Sequence, residues 1–428
     1  MRNDLPKVLM LGWEFPPIIN GGLGIACHDL SSAMSELADI TMIIPKSSPD
    51  FKMKNMNLIG LNDLEDHLID NYSETSHTLP FTLKSFPFDI DPYFTEVSDN
   101  PDYMSSLINN RQEKIKFEGF QIDNLYGNDV INKVSQYANI TSHIAEKMDF
   151  DIIHAHDWMT MMAGVKIKQR TGKPLVLHIH SLEVDRGGEH SKGWVYELEK
   201  KGMEYADLLM PVSHFTADNI HNYYGISKNK MQVIHNGSNI VKPFKSKRGF
   251  EEKTVLFVGR LTRQKGPEKF LEIASKVLET NPNVRFVMAG VGDYFRSLLE
   301  QSAYKNIGNR FHLTGFLNLE KLHYLFSVSD IYCMPSVSEP FGLSAIEAAQ
   351  FGIPCVISKQ SGVAEVLSGS LKFDFWDVDK AASCILNLLN DSVIREKVVS
   401  DASNNLSKIS WNISAQKIMN AYSSNQLI

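Results

Sequence analysis

Cysteine is scarce in this chain. Cys27, Cys333, Cys355 and Cys384 are spread over 428 positions with no paired spacing, which excludes a disulfide framework and a cysteine-clustered zinc fold. Cys333 and Cys355 fall inside apolar strand patterns, where a free thiol acts as a small hydrophobe. Long hydrophobic runs are missing too, and none could span a bilayer. The opening MRNDLPKVLMLGW passes almost directly into a strand, so no signal peptide is read there and a cytoplasmic protein is expected. An excess of basic charge is also lacking. At a net charge of −7, nucleic acid and polybasic membrane contact are disfavoured. The fingerprint G-x-G-x-x-G does not occur, which argues against a dehydrogenase.

What is present reads as an ordinary globular chain, 43% hydrophobic and 22% charged. The length exceeds the usual single core, so two domains are expected. Short apolar runs alternate with helical patterns. KVLMLGW, ITMIIP, DIIHAH, PLVLHIH, LLMPVS and QVIHNG read as strands in the first half. VLFVGR, VRFVMAG, RFHLTG, DIYCMPS and PCVIS follow in the second. Continuous apolar strands of this kind belong to parallel sheets covered on both faces, and their alternation with helices gives doubly wound α/β layers. Residues 241–253, VKPFKSKRGFEEK, are charged and aperiodic and read as a linker. The domains are therefore placed at 1–240 and 254–408, with a terminal helical segment at 409–428. Residues 50–125, rich in Asp, Asn, Ser and Pro but carrying aromatic clusters such as FPFDIDPYF, read as an insertion with irregular strands and a helix.

Four stretches carry chemistry. The first strand runs through Trp13-Glu14-Phe15-Pro16-Pro17 into Asn20-Gly21-Gly22-Leu23-Gly24, with a helix expected from about Ile25 to Leu37. A strand, a glycine turn and a helix make an anion-binding crevice, although such a turn also serves plain packing. His154-Ala155-His156-Asp157-Trp158 ends the strand DIIHAH, and alternation puts His154 and His156 on one face. His154 reads as a core residue and His156, at the tip, as a contact for substrate hydroxyls. No metal is expected, because a third ligand with a recognisable spacing is missing. His178 and His180, on the next strand, line or support the same crevice. Val258-Gly259-Arg260-Leu261-Thr262-Arg263-Gln264-Lys265-Gly266 repeats the strand–loop–helix pattern and adds cations; Arg260 and Lys265 there suit a diphosphate. The stretch SEPFGLSAIEAAQFGIPCVI spans Ser338–Ile357. Pro340 pushes Glu339 out of helical geometry, while Ser344–Gln350 reads as a helix, so Glu339 faces a helix N-terminus and Glu347 lies one turn inside. Backbone N–H groups near Gly342, Leu343 and Ser344 point into the same space. Carboxylates beside an anion site suit the hydroxyls of a phosphorylated ligand, such as a nucleotide sugar.

The Gly-Gly-Leu turn, HAHDW, GRLTRQKG and SEPFGLSAIEAAQFGIPCV, in this order, resemble the retaining nucleotide-sugar glycosyltransferases of family 4, in their glycogen- and starch-synthase-like branch. The resemblance runs from Lys7 to about Tyr422 and covers residues 50–125 poorly. It implies the GT-B fold, two Rossmann-like doubly wound α/β domains facing across a cleft, with the terminal helix from Trp411 crossing back to the N-terminal domain. It also implies residue roles. The Gly22 N–H contacts the donor phosphate, with Gly21 and Leu23 beside it, and His156 contacts the transferred sugar, with Asp157 next to it. Arg260 and Lys265 bind the diphosphate, Glu339 lies beside the sugar ring, Gly342 and Leu343 shape the phosphate turn, and Glu347 holds the ribose hydroxyls. Two positions depart from the pattern. Ile19-Asn20 stands where bacterial glycogen synthases carry Lys-Thr, and Asn236-Gly237-Ser238-Asn239 stands where many members have Asn-Gly-Val-Asp.

The expected activity is transfer of a sugar, glucose above others, from a nucleotide-diphosphate sugar such as UDP-glucose or ADP-glucose to an α-glucan, with retention. The alternative is a family 4 enzyme acting on another saccharide or on a lipid. No cofactor is expected: the cations replace a metal, and no pyridoxal-phosphate lysine of a phosphorylase can be identified. A non-catalytic binding protein is disfavoured by the joint presence of His156, Arg260, Lys265, Glu339 and Glu347.

Overall fold

The computed structural model describes residues 5–19, 21–48, 50–63, 125 and 130–428. The chain forms two compact units. The first comprises Met1–Val212, Thr216–Gly237 and Trp411–Ile428; the second comprises Ser213–Phe215 and Ser238–Ser410. The described elements of the first run β1 (Lys7–Leu11), α1 (Gly22–Met34), β2 (Asp39–Ile44), β3 (Met56–Gly60), α2 (Val130–Ala145), β4 (Ile152–His156), α3 (Trp158–Thr171), β5 (Leu175–Ile179), α4 (Glu183–Gly187), α5 (Trp194–Tyr205), β6 (Leu208–Pro211) and α6 (His214–Tyr224). The second continues with β7 (Lys253–Val258), α7 (Pro267–Thr280), β8 (Val284–Ala289), α8 (Phe295–Tyr304), β9 (Phe311–Gly315), α9 (Leu319–Val328), β10 (Ile331–Met334), α10 (Leu343–Gln350), β11 (Cys355–Ser358), α11 (Val363–Val366), β12 (Leu371–Phe373), α12 (Val378–Asn390) and α13 (Ser392–Leu406). The last helix, α14 (Trp411–Ser424), belongs to the first unit.

Each unit is built on a six-stranded sheet, ordered β3-β2-β1-β4-β5-β6 in the first and β12-β11-β10-β7-β8-β9 in the second. Every strand pair is parallel. Helices cover both faces of the central strands, so β4, β5, β10 and β11 are buried at every residue and are apolar apart from the histidines of β4 and β5 and Ser358. Helix ends follow local chemistry. Gly172 closes α3 in the left-handed conformation, Pro267 opens α7, and the Asp377 and Asp391 carboxylates cap α12 and α13. On the first unit, Trp411, Ala415, Ile418 and Tyr422 of α14 share a core with Ala26, Cys27, Leu30 and Met34 of α1.

Several expectations need correction. The strands β3 and β12 carry no continuous apolar run because both are half-buried sheet edges. Residues 56–60 therefore belong to the first sheet and not to an insertion; the remainder of that expectation, from 64 to 124, lies outside the described residues. QVIHNG forms no strand. It follows β6 through the bonds Gln232 N–H to Leu209 O and Ile234 N–H to Pro211 O, at 2.9 and 3.0 Å, without building a ladder. The first helix begins at Gly22, three residues earlier than Ile25, so the glycine turn is part of the helix. Residues 241–252 contain no helix or strand but are tied to the second unit. Val241 N–H donates to Gln350 Oε1 at 2.9 Å, and Arg248 forks onto the Asp330 carboxylate, which also takes Lys253 Nζ at 3.0 Å.

Candidate active site

In both sheets the chain starts at a central strand, winds outwards, then returns to the other side. The first and fourth strands of each unit therefore lie side by side while the loops after them diverge. Such switch points, β1/β4 and β7/β10, are where doubly wound sheets leave a crevice at their carboxyl ends. The residues selected from sequence fall on the two switch points. Gly21, Gly22 and Leu23 follow β1, and His156 and Asp157 end β4. Arg260 and Lys265 follow β7, while Glu339, Gly342, Leu343 and Glu347 follow β10.

At the first switch point, no side chain among the described residues caps the N-terminus of α1, an end that suits an anion. The turn is held from below by Glu14, which is buried and accepts the Gly21 N–H at 3.2 Å. Opposite stand four histidines. His154 Nε2 and His178 Nδ1 share a hydrogen bond of 3.1 Å, His156 Nδ1 and His180 Nε2 one of 3.0 Å, and His154 Nδ1 is bonded to the Tyr422 hydroxyl of α14. Burial holds His154 and His180 down to about 3 and pushes His156 and His178 well below the ordinary imidazole value, so all four rings are neutral. His156 is fully enclosed, whereas His180 is half-buried and sits at the rim.

Asp157 does something other than face a ligand. Its carboxylate accepts the His180 N–H at 2.6 Å and the Ser181 N–H at 3.2 Å, with the Ser181 hydroxyl at 3.4 Å. Burial raises it to about 7, against the pull of those bonds and of Arg186. Its backbone φ of 59° is left-handed, a conformation that persists in a non-glycine residue only where the surroundings enforce it. Asp157 thus positions the exit of β5.

Arg186 extends this framework. It donates to the Ser181 hydroxyl at 2.8 Å, to Glu183 at 3.2 Å and to Glu199 at 2.9 Å, and Glu199 also accepts the Glu183 N–H and the Tyr224 hydroxyl. All of these charges are buried. Arg186→Ala is expected to cost about 3–5 kcal/mol, because two carboxylates lose their counter-charge in the interior; guanidinium unfolding measures it.

At the second switch point the loops interlock. Gln264 O accepts Val337 N–H at 2.9 Å, which pins the turn at Arg263–Lys265 to the segment after β10. Gly266 (φ +65°) leaves no room for a side chain, since a Cβ there would lie 2.2 Å from Pro335 O. This holds Lys265 Nζ 2.6 Å from Glu339 Oε2. Glu339 is buried, takes the Ser336 hydroxyl at 3.3 Å, and is fixed by its own backbone through Gln360 O and Gly362 N–H, both at 2.9 Å. Gly342 (φ +108°) precedes the first turn of α10, with no side-chain cap among the described residues. Inside that helix the Glu347 carboxylate makes no hydrogen bond or ion pair among the described residues, and desolvation raises it to about 7. Arg260 is solvent-exposed at the mouth of the loop.

Comparison with known proteins decides the family. A family model described as "Starch synthase catalytic domain" matches residues 7–232, more than half of the chain. The chain belongs to this family. A second model, "Glycosyl transferases group 1", matches residues 240–405 of the glycosyltransferase. Relatives include an uncharacterized glycosyltransferase of Methanocaldococcus jannaschii, 28% identical over 97% of both chains. The glycogen synthase of Mycobacterium tuberculosis is 25% identical over 91% of this chain and 88% of its own. Among solved structures, the sucrose-phosphate synthase of Thermosynechococcus elongatus aligns with a TM-score of 0.70 at 17% identity over 98% of both chains. The fold of this glycosyltransferase is GT-B, two Rossmann-like α/β units.

Sequence reasoning missed Glu14 as the support of the glycosyltransferase's glycine turn, although it stands directly before Phe15-Pro16-Pro17 in the loop after β1. It also missed Arg186, whose only signal was the acidic company in Glu183-Val184-Asp185-Arg186. The argument against a metal counted two histidines. The fold adds His178 of β5, His180 just after it, and Cys27 from α1.

Proposed function

We propose that this glycosyltransferase moves glucose from a nucleotide-diphosphate sugar to an α-glucan, with retention at the anomeric carbon. One observation carries the reading. The second switch point combines a helix N-terminus with no side-chain cap, a lysine held by a buried glutamate, and a second glutamate without a partner among the described residues. A nucleotide sugar has a complement for each: diphosphate for the amides and cations, sugar hydroxyls for Glu339, ribose hydroxyls for Glu347. Two similarities support the glucan: the starch synthase model over 7–232 and the M. tuberculosis glycogen synthase. A complex of the Anabaena protein HepE with UDP and glucose, aligned at a TM-score of 0.64 and 15% identity over 98% of this chain and 100% of that one, shares the fold.

In the proposed reaction, cleavage of the anomeric bond puts negative charge on the leaving diphosphate. Arg260, Lys265 and the α10 N-terminus meet that charge, so the step draws on electrostatic stabilisation by groups already in place. The Lys265–Glu339 pair keeps the ammonium from collapsing onto other acids before the donor arrives. On the first unit, the α1 N-terminus receives phosphate oxygens, and His156 Nε2, buried without a hydrogen-bond partner among the described residues, takes a sugar hydroxyl. The acceptor oxygen attacks from the face the diphosphate leaves. Incubation with UDP-glucose, ADP-glucose and GDP-mannose, each with and without glycogen, tests the reading through release of nucleoside diphosphate. Glycogen-dependent release from a glucose donor is expected; release from another donor, or none that glycogen stimulates, moves the acceptor to a different saccharide or a lipid.

A further inference from the structure

The histidines at the ends of β4 and β5 are only partly accounted for by the bonds around them. Nε2 of His156, Nε2 of His178 and Nδ1 of His180 are buried and have no hydrogen-bond partner among the described residues. Buried polar atoms are nearly always satisfied, so three orphan nitrogens in one cluster call for an occupant. Cys27 reaches the cluster from α1. Its Sγ and one ring nitrogen each of His156 and His180 lie within 4.8 Å of one another. His154, His156 and His178 form a second such trio, but His154 is already bonded on both nitrogens and all three are closed off from solvent. The Cys27 trio has the half-buried His180 as its route in.

We infer that Cys27, His156 and His180 form a binding site for zinc or a similar borderline-soft divalent cation. One thiolate and two imidazoles leave a fourth tetrahedral position open, as in sites with three protein ligands. The rings are neutral donors in place. Burial, with Asp157 and Glu14, pushes the Cys27 thiol up, so a dication has to displace its proton, and the same two acids add negative charge beside that dication. Binding replaces the thiol S–H bond with a metal–sulfur bond, and the proton leaves to solvent. Hard cations such as Mg²⁺ prefer oxygen ligands and are not selected. The consequence for activity rests on the proposed function: a cation on His156 occupies the group assigned to the transferred sugar, so zinc inhibits transfer.

Cobalt titration of the metal-free protein tests the site without reference to activity. One equivalent of Co²⁺ is expected to produce a thiolate-to-cobalt charge-transfer band with tetrahedral visible bands, which Zn²⁺ bleaches and Mg²⁺ does not. Cys27→Ser removes the charge-transfer band and weakens zinc by more than about 100-fold, beyond the 10–100-fold typical of outer partners. His180→Asn, at a half-buried position, keeps the fold and weakens binding while retaining the band. No charge-transfer band in the wild type, a band that survives Cys27→Ser, or unchanged affinity in His180→Asn overturns the site. In the transfer assay, zinc is expected to raise the apparent donor KM of the wild type and not of Cys27→Ser at the same concentration. Metal binding that leaves transfer untouched upholds the site and refutes the assignment of His156 to the sugar.

Discussion

Lys265→Ala is expected to lower kcat by about 100- to 1,000-fold, the usual cost of removing one group that meets transition-state charge. The lysine sits where two loops interlock, so its ammonium is in place before the donor arrives and needs no reorganisation during the reaction. The same substitution has a structural cost. Glu339, buried and 2.6 Å from Lys265 Nζ, loses its counter-charge, which destabilises the fold by about 1–3 kcal/mol. A double variant separates the two effects. Glu339→Gln in the Lys265→Ala background removes the orphan charge, so the unfolding midpoint recovers, while kcat, read against Glu339→Gln alone because Glu339 is itself assigned to the sugar, stays about 100-fold lower. Recovery of activity together with stability would mean that Lys265 serves the fold and not the diphosphate. Arg260→Ala provides the complementary case: the side chain is exposed, so loss of turnover is expected with an unchanged unfolding curve.

Glu347 gives the second large effect, and a pH dependence with a definite sign. Glu347→Ala is expected to raise the donor KM by about 10- to 100-fold with little change in kcat, because a carboxylate accepting ribose hydroxyls binds ground and transition states alike. Burial raises the carboxyl from its ordinary 4.5 to about 7. The folded state therefore holds this proton more tightly than the unfolded chain, and the group's contribution to stability is fullest below 4.5 and is lost as pH rises through about 7. Donor binding runs the other way. It needs the ionised carboxylate, so kcat/KM should fall about tenfold for each pH unit below that value. Glu347→Gln should flatten that limb. A limb that persists unchanged in Glu347→Gln would assign the titration to another group.

The fold was legible because its central strands are mostly apolar runs with no polar-out alternation. DIIHAH, PLVLHIH and DIYCMPS could only be strands covered on both faces, and the helical patterns between them required parallel crossovers. The edges were not legible. Met56–Gly60 and Leu371–Phe373 are half-buried, and a short half-polar stretch looks the same whether it pairs or loops. QVIHNG misled in the opposite direction: its apolar residues are held beside β6 by two backbone bonds, without a ladder.

The site shows a similar division. Residues whose backbone carries the chemistry could be read from their neighbours: glycines at turns, Pro340 before a helix start, Glu347 one turn inside. Residues that act through long-range partners could not. That Glu339 would sit on Lys265, or that Asp157 would spend its carboxylate on the backbone at 180–181, depends on loops brought together only by the sheet order. The histidines of the two neighbouring strands could be read as sharing one crevice, but they could not announce that a cysteine from the first helix reaches the same cluster. Arg186 pairs with nearby Glu183 but also with Glu199 of the next helix, which the sequence did not announce.

The central claim is retaining transfer of glucose to an α-glucan. Carbon-13 NMR of glycogen after incubation with nucleotide sugars labelled at the anomeric carbon of glucose tests sugar, acceptor and stereochemistry together. The account predicts label in new α-linked residues on the glucan. Label entering as β-linked glucose, or a donor consumed with no label on glycogen, would contradict it.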